Sequence, residues 1–535
     1  MNSVETPRGW GKGHVTLRVC VLLMGIAFLA AAQTIPPSPT PTMLPDYIGQ
    51  PWKARPLRNS GVPQNPLLAP NPFNSTHNDS WNSDVADIEA PLGRDPAVSS
   101  STLTEARKAN PESWIFTCMP IYFDSLGRLI GPCFGSNEAT VVLADPQTLE
   151  VLSSYALDVI APGGPPVPPD TQGFLYSMGA IYSYLDNRDQ LTIVSGGHHI
   201  ITLREGGSPA FPVLERVDER SYDLQYALPE GTNLSGLMLD WQGRIWFTTG
   251  DPAAIYVLNP ATYPDMDVKS VSLGTPENPE AVRNTFALTK SGDAYVVTSK
   301  AMYRIGAGSD DQPYVIWSEP YETIGTIRRG QYELGSGTSP TVLGEGKYVA
   351  ITDNAKQMQV VVFRTDEPLD PNEDRVVCRV PVFQFAGGGD GALSNSLIGS
   401  GLSLIASNTY NHLFDWTTGE LVRPSAPGFE RIDIEPNGRG CSKVWVNTEV
   451  ATTSSPRLST KTGLIYLYER KHDAAQNVYV HYWTALDFRT GKTVWQKMAG
   501  TGVKYDNWYP AIEIGPNGAL YNGVYGGIVS MRDTR

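Results

Sequence analysis

The feature that most constrains this chain is a tight turn that recurs at intervals of roughly 50–60 residues from residue 124 onward. Its members are Asp124-Ser-Leu-Gly127, Asp186-Asn-Arg-Asp189, Asp240-Trp-Gln-Gly243, Lys290-Ser-Gly292, Gly344-Glu-Gly346, a bare Gly401, Lys461-Thr-Gly463 and Pro516-Asn-Gly518. An apolar strand leads into each turn and a second strand leaves it, as in Arg244-Ile-Trp-Phe and Leu464-Ile-Tyr-Leu. A polar loop and a third strand ending near Asp/Asn-x-x-Thr complete the pattern. Alternation of apolar and polar residues supports strands over helices. A unit of this length holding about four short strands fits one blade of a β-propeller.

Eight turns predict an all-β, eight-bladed propeller. The eighth unit stops at Arg535 with room for only three strands, around 512–514, 519–522 and 528–531. An open last blade leaves an unpaired edge, so a strand from the region before Trp114 is expected to close the ring. Seven blades plus an irregular unit is the alternative, because unit six lacks a clear turn.

Residues 1–32 read as a secretory signal peptide. Arg8, Lys12 and Arg18 precede an apolar run that ends in Ala30-Ala-Ala32 and is too short for a stable membrane span. The rival reading is an uncleaved signal anchor. Residues 33–113 form a Pro/Asn-rich arm. It begins with Ile35-Pro-Pro-Ser-Pro-Thr-Pro-Thr42, and its aromatic anchors Tyr47, Trp52, Phe73 and Trp81 suggest an arm laid over a folded body, here the propeller at 114–535. A net charge of −14 with no basic cluster argues against nucleic acid as partner.

Four cysteines remain after the signal, and their spacing alone allows three pairings. Hairpin register favours Cys118–Cys133, which flank the Asp124–Gly127 turn almost symmetrically. It also favours Cys378–Cys441, at the ends of units five and six. Asn74, Asn78 and Asn233 begin N-glycosylation sequons, so a glycosylated, secreted protein is the expectation.

The sharpest motif is Ala485-Leu-Asp-Phe-Arg-Thr-Gly-Lys-Thr-Val-Trp495, which reads A-x-D-x-x-T-G-K-x-x-W. Asp487 caps the turn, Gly491 takes positive φ and Trp495 packs against the next sheet. A weaker copy is Phe414-Asp-Trp-Thr-Thr-Gly-Glu420, and worn copies stand at Asp145 and Asn259. The motif resembles the tryptophan-docking repeat of quinoprotein-type propellers. The resemblance implies the propeller fold. In dehydrogenases of that family it also implies pyrroloquinoline quinone on the axis, beside calcium and often under a vicinal disulfide. This chain has no adjacent cysteines, and no calcium set can be assigned residue by residue.

Loops between second and third strands, and loops leading into first strands, open on one face of a propeller. That face collects His198-His199, Lys356, Tyr410, His412, Asp390, Asn395, Trp508 and Tyr509. His198 and His199 straddle a strand start, so their side chains are expected to diverge. His199 and His412 belong to units two and six, opposite in the ring, so they are not expected to share a metal. Arg328-Arg329 offer a carboxylate clamp, with surface arginine the plainer reading. His77-Asn-Asp-Ser-Trp81 reads as packing around Trp81, with plugging of the channel as the alternative. No G-x-S-x-G, H-E-x-x-H or C-x-x-C-H motif is present. Asp370-Pro-Asn-Glu-Asp374 fails as a calcium loop because Arg375 and Pro381 stand where Gly and Glu are needed.

The leading expectation is a binding protein for a small organic or carbohydrate ligand. Trp508, Tyr509 and Tyr410 would supply aromatic contact, and Asp390, Asn395 and His412 polar contact. The alternative is an enzyme, a lyase, hydrolase or cyclase, with His199 or His412 as base and Arg329 or Lys356 stabilising charge. A quinone-dependent oxidoreductase and a protein–protein scaffold follow.

Overall fold

The structure is a computed structural model. It describes residues 44–58, 61–107, 115–135, 138–158, 181–229, 232–262, 268–331, 333–384, 391–415, 420–423 and 425–535. The leader at 1–32, the Pro-rich stretch 35–42 and Asp390 lie outside them. Among the described residues there are eight sheets of four or more strands, antiparallel except for one added arm strand, each built mainly from one sequence unit, and the only helical elements are short 3-10 turns. The chain is an eight-bladed β-propeller.

The recurring turns are made locally. Asp124, Asp186 and Asp240 each use Oδ1 to accept the amide N–H groups two and four residues on, at 2.8–3.0 Å. Arg128 and Arg244 then return to the other carboxylate oxygen, at 2.8 and 2.6 Å. A carboxylate that satisfies two turn amides fixes the hairpin register without help from distant residues.

Alternation marks only the rim. In blade 3, Ile245–Thr249 and Ala254–Leu258 are buried throughout, whereas the fourth strand Lys269–Ser272 alternates half-buried and exposed. Inner strands lie between neighbouring blades and bury both faces, while outermost strands keep one face in water. Phe247 and Tyr256 stack there at 4.9 Å between centroids, in the apolar cluster joining blades 2, 3 and 4.

The ring closes as the strand count requires. Pro96–Ser101 pairs antiparallel with Gly527–Asp533 and becomes the outermost strand of blade 8. Asp533 accepts from the N–H groups of Leu92, Gly93 and Arg94 at 2.7–3.1 Å. In blade 7 the corresponding turn is continuous. Asp487 accepts from Arg489 N–H at 3.0 Å and from the Thr490 hydroxyl at 2.9 Å, and Gly491 has φ 69°. Blade 8 therefore assembles the same turn from the arm at 92–94 and the last strand.

The docking contact has a member the motif did not name. The indole of Trp445, in the fourth strand of blade 6, donates to Phe488 O at 3.0 Å and lies where a Cβ on Gly491 would sit. The weaker motif copy is corrected: Leu413–Asp415 and Glu420–Arg423 form a separate hairpin inserted between the second and third strands of blade 6.

Both disulfides pair as expected from register. Cys118 and Cys133 face each other across one hairpin, and Cys378–Cys441 joins the outer strands of blades 5 and 6. Among the described residues no helix is long and apolar enough to cross a membrane. Of the sequons, Asn233 is exposed. Asn74 and Asn78 are buried in the arm, and Asn74 Nδ2 donates to Ala69 O at 3.0 Å, so a glycan at either is incompatible with this packing.

Candidate functional site

The axis is filled by the arm. Carbonyls of Asn74, Ser80, Trp81, Ser83 and Asp84 accept from Leu185, Leu288, Val342, Gly399 and Leu458, in the first strands of blades 2, 4, 5, 6 and 7 or beside them, at 2.7–3.1 Å. Val85–Ala86 continues as a parallel partner of Leu458–Ser459. First strands have an unpaired inner edge, and this segment satisfies it.

The side chains of the plug form a buried polar cluster. Arg457, fully buried in blade 7, pairs with Asp84, donates to Thr76 O at 2.7 Å and meets Glu513 at 3.1 Å. His77 donates from Nδ1 to Asp84 at 3.1 Å, and its Nε2 meets the hydroxyls of Ser339 and Ser396. Burial pushes Glu513 up to about 8. Both readings of the 77–81 segment are met, because Trp81 is buried in an apolar cluster of blades 4 and 5 while His77 enters the plug. These residues do not form a seat for an axial quinone, because protein side chains already occupy the centre.

Above the plug, loops from three blades cross. Tyr509, leading into blade 8, donates its hydroxyl to Gly330 O at 2.9 Å, and Asn411 N–H in blade 6 donates to Arg329 O at 3.3 Å. Arg328 locks the crossing from below, donating to Asn354 Oδ1 at 2.6 Å, Gly391 O at 3.2 Å and the Ala355 and Lys356 carbonyls. Of the adjacent arginines, Arg328 is thus the structural one, while the Arg329 side chain is exposed. Lys356 is exposed, and Tyr410 and Tyr509 are half-buried.

Three expected ligand contacts are corrected. His412 is buried, its Nδ1 meeting Ser425 Oγ at 3.2 Å and its Nε2 donating to Asn507 O at 3.0 Å. Burial, with the nearby Arg470 charge, pushes it down to about 3, so it is neutral and has no nitrogen to offer as a base. Both amide atoms of Asn395 are engaged, by Ser454 O and Ser455 Oγ. Trp508 is buried in the blade 1–2 core cluster.

His198 and His199 are also corrected: their rings converge, 4.6 Å apart between centroids, and Asp223 stands with them. Gly196 and Gly197 have positive φ, so His198 sits in a turn and the period-two rule of strands does not apply to it.

A cleft that sequence reasoning missed lies between blades 6 and 7, about 220 Å³ in volume and lined by Ile48, Glu449, Glu469, Lys471 and Gln496 among others. Burial pushes Glu469 up to about 7, against hydrogen bonds from Thr484 and Gln496. Lys471 and His472 stand near the end of the long strand Leu464–Asp473. The signal was the run Glu469-Arg-Lys-His-Asp473, dense in charge for an inner strand.

No family model matches the chain. An uncharacterized protein of Archaeoglobus fulgidus is 28% identical over 331 residues, which cover 57% of this chain and 63% of that protein. The match thus spans less than two thirds of the relative's length. Similar solved structures include the quinohemoprotein alcohol dehydrogenase of Comamonas testosteroni (12% identity, 86% of this chain and 80% of that one, TM-score 0.47). Others are Sqt1 of Chaetomium thermophilum (10%, 78% and 97%, TM-score 0.45) and virginiamycin B lyase of Staphylococcus aureus (9%, 75% and 99%, TM-score 0.33). At such values these likenesses say nothing of activity, and the eight-bladed architecture stands on the chain's own strand pairing.

Proposed function

We propose that the protein is an extracytoplasmic binding propeller whose loop-bearing face takes a small organic ligand carrying a carboxylate, of the sugar-acid class. The carrying observation is the loop crossing, which fixes the backbone at Arg329 and Gly330 against Asn411 and Tyr509; the Arg329 and Lys356 side chains are exposed, and Tyr410 and Tyr509 are half-buried. Two exposed cations on a face that also carries half-buried tyrosines suit a carboxylate on a compact ring. The two disulfides support an oxidising compartment.

Calorimetric titration with galacturonate and glucuronate, with the neutral sugars as controls, tests this. Binding of an acid that weakens at least about tenfold in Arg329→Ala/Lys356→Ala supports the reading. No binding, or equal binding by the neutral sugars, contradicts it. An enzyme based on His412 finds no support, because that imidazole is buried and engaged. A quinone oxidoreductase is disfavoured by the filled axis. A protein partner is the second reading, favoured by Ile324, Ile327 and Leu334, exposed at 42%, 57% and 48% along the same segment.

A further inference from the structure

We propose that the turn between the second and third strands of blade 2 binds a divalent transition-metal ion of the zinc class through His198, His199 and Asp223. One ligand atom from each of these residues lies within 4.8 Å of the others. His199 Nε2 is 3.5 Å from Asp223 Oδ1. Ligands about 2.0–2.1 Å from a tetrahedral zinc are separated by about 3.3 Å, so this pair already stands near the edge length that such an ion requires.

The backbone holds the three in place before any ion arrives. His199 is paired with Asp223 across adjacent strands, and Leu224 N–H donates to His198 O at 3.0 Å. Leu234 N–H donates to Gly197 O at 2.9 Å, and Gly196 N–H to Asp158 O at 2.8 Å. The turn is thus tied to both flanking segments, and the positive φ of Gly196 and Gly197 tips the His198 ring toward His199. Asp223 accepts from Gln225 N–H at 3.0 Å.

Two imidazoles and one carboxylate suit zinc and its first-row neighbours. Calcium and magnesium require oxygen ligands throughout. The His199 side chain is 33% exposed and that of Asp223 59%, so water has access to complete the coordination. The plainer account of the same contact is a solvent-screened surface pair. That account predicts no metal affinity.

The test is a Zn²⁺ titration by calorimetry on chelator-stripped protein without a polyhistidine tag, with Co²⁺ absorption as a second readout. One equivalent should bind, and visible d–d bands should appear with Co²⁺. Asp223→Asn and His199→Gln should each weaken Zn²⁺ at least about tenfold, with the metal-free melting temperature unchanged. No saturable Zn²⁺ binding, equal binding by both variants, or displacement of Zn²⁺ by equimolar Ca²⁺ would each overturn the assignment.

Discussion

Blades 2 and 6 carry histidines at the same structural position, the connection between second and third strands, and an eight-bladed ring sets the two blades opposite each other. Their fates differ. His412 of blade 6 lies under a loop from blade 8 and gives its Nε2–H to Asn507 O. His199 of blade 2 keeps a third of its side chain in water and stands against its neighbour His198 and Asp223. The lesson is that a loop imidazole becomes structural when another blade's loop crosses it, because desolvation holds it neutral and backbone groups take its nitrogens. Where nothing crosses, the same residue type stays open to a ligand.

The contrast between closed and open polar groups can be broken in order of expected effect. Arg457→Met removes the cation at the plug and leaves the buried Asp84 with His77 but without its guanidinium partner, which should cost roughly 3–5 kcal/mol in chemical denaturation. Adding Asp84→Asn should recover part of that loss. Full stability in the single variant would show that the plug is not anchored there.

His412 comes next, through pH. Its folded pKa lies below the free value, so the unfolded chain binds its proton more readily. Its contribution is complete above pH 6.5 and is lost as pH falls toward about 3. His412→Asn should therefore lower the melting temperature at neutral pH and flatten the acid limb of the stability curve. Glu469 acts with the opposite sign. Its pKa is raised from 4.5 to about 7, so its contribution is complete below pH 4.5 and is lost as pH rises through about 7. Glu469→Gln should remove up to roughly 3 kcal/mol of that neutral-side decline, read from melts between pH 5 and 8. The smallest effect belongs to the open site: His199→Ala should change metal-free stability by no more than about 0.5 kcal/mol.

What could be read from sequence tracks how local each cause is. Asp124, Asp186 and Asp240 announce their turns because the carboxylate serves amides two and four residues away. The Cys118–Cys133 pair follows from one hairpin. The missing strand of blade 8 was legible from a count of strands, and an arm strand fills it. The candidate site was less legible, because its determinants are distant. The burial of His412 is decided by Asn507, 95 residues on. The lock at Arg328 is set by carbonyls at 355, 356 and 391. The divergence expected of His198 and His199 failed for a local reason that was in view. Gly196-Gly197 permits a turn where a strand was assumed. The buried cluster of His77, Asp84 and Arg457 joins arm and blade 7 across more than 370 residues.

The central functional claim is that the exposed rim of the loop crossing, at Arg329 and Lys356, recognises a carboxylate. The most direct measurement is the calorimetric comparison of galacturonate with galactose on the wild-type chain and on Arg329→Ala/Lys356→Ala. Saturable binding of the acid alone, lost in the double variant while its melting temperature holds, is the predicted result. Equal affinity for acid and neutral sugar, or acid binding unchanged by the double substitution, would contradict it.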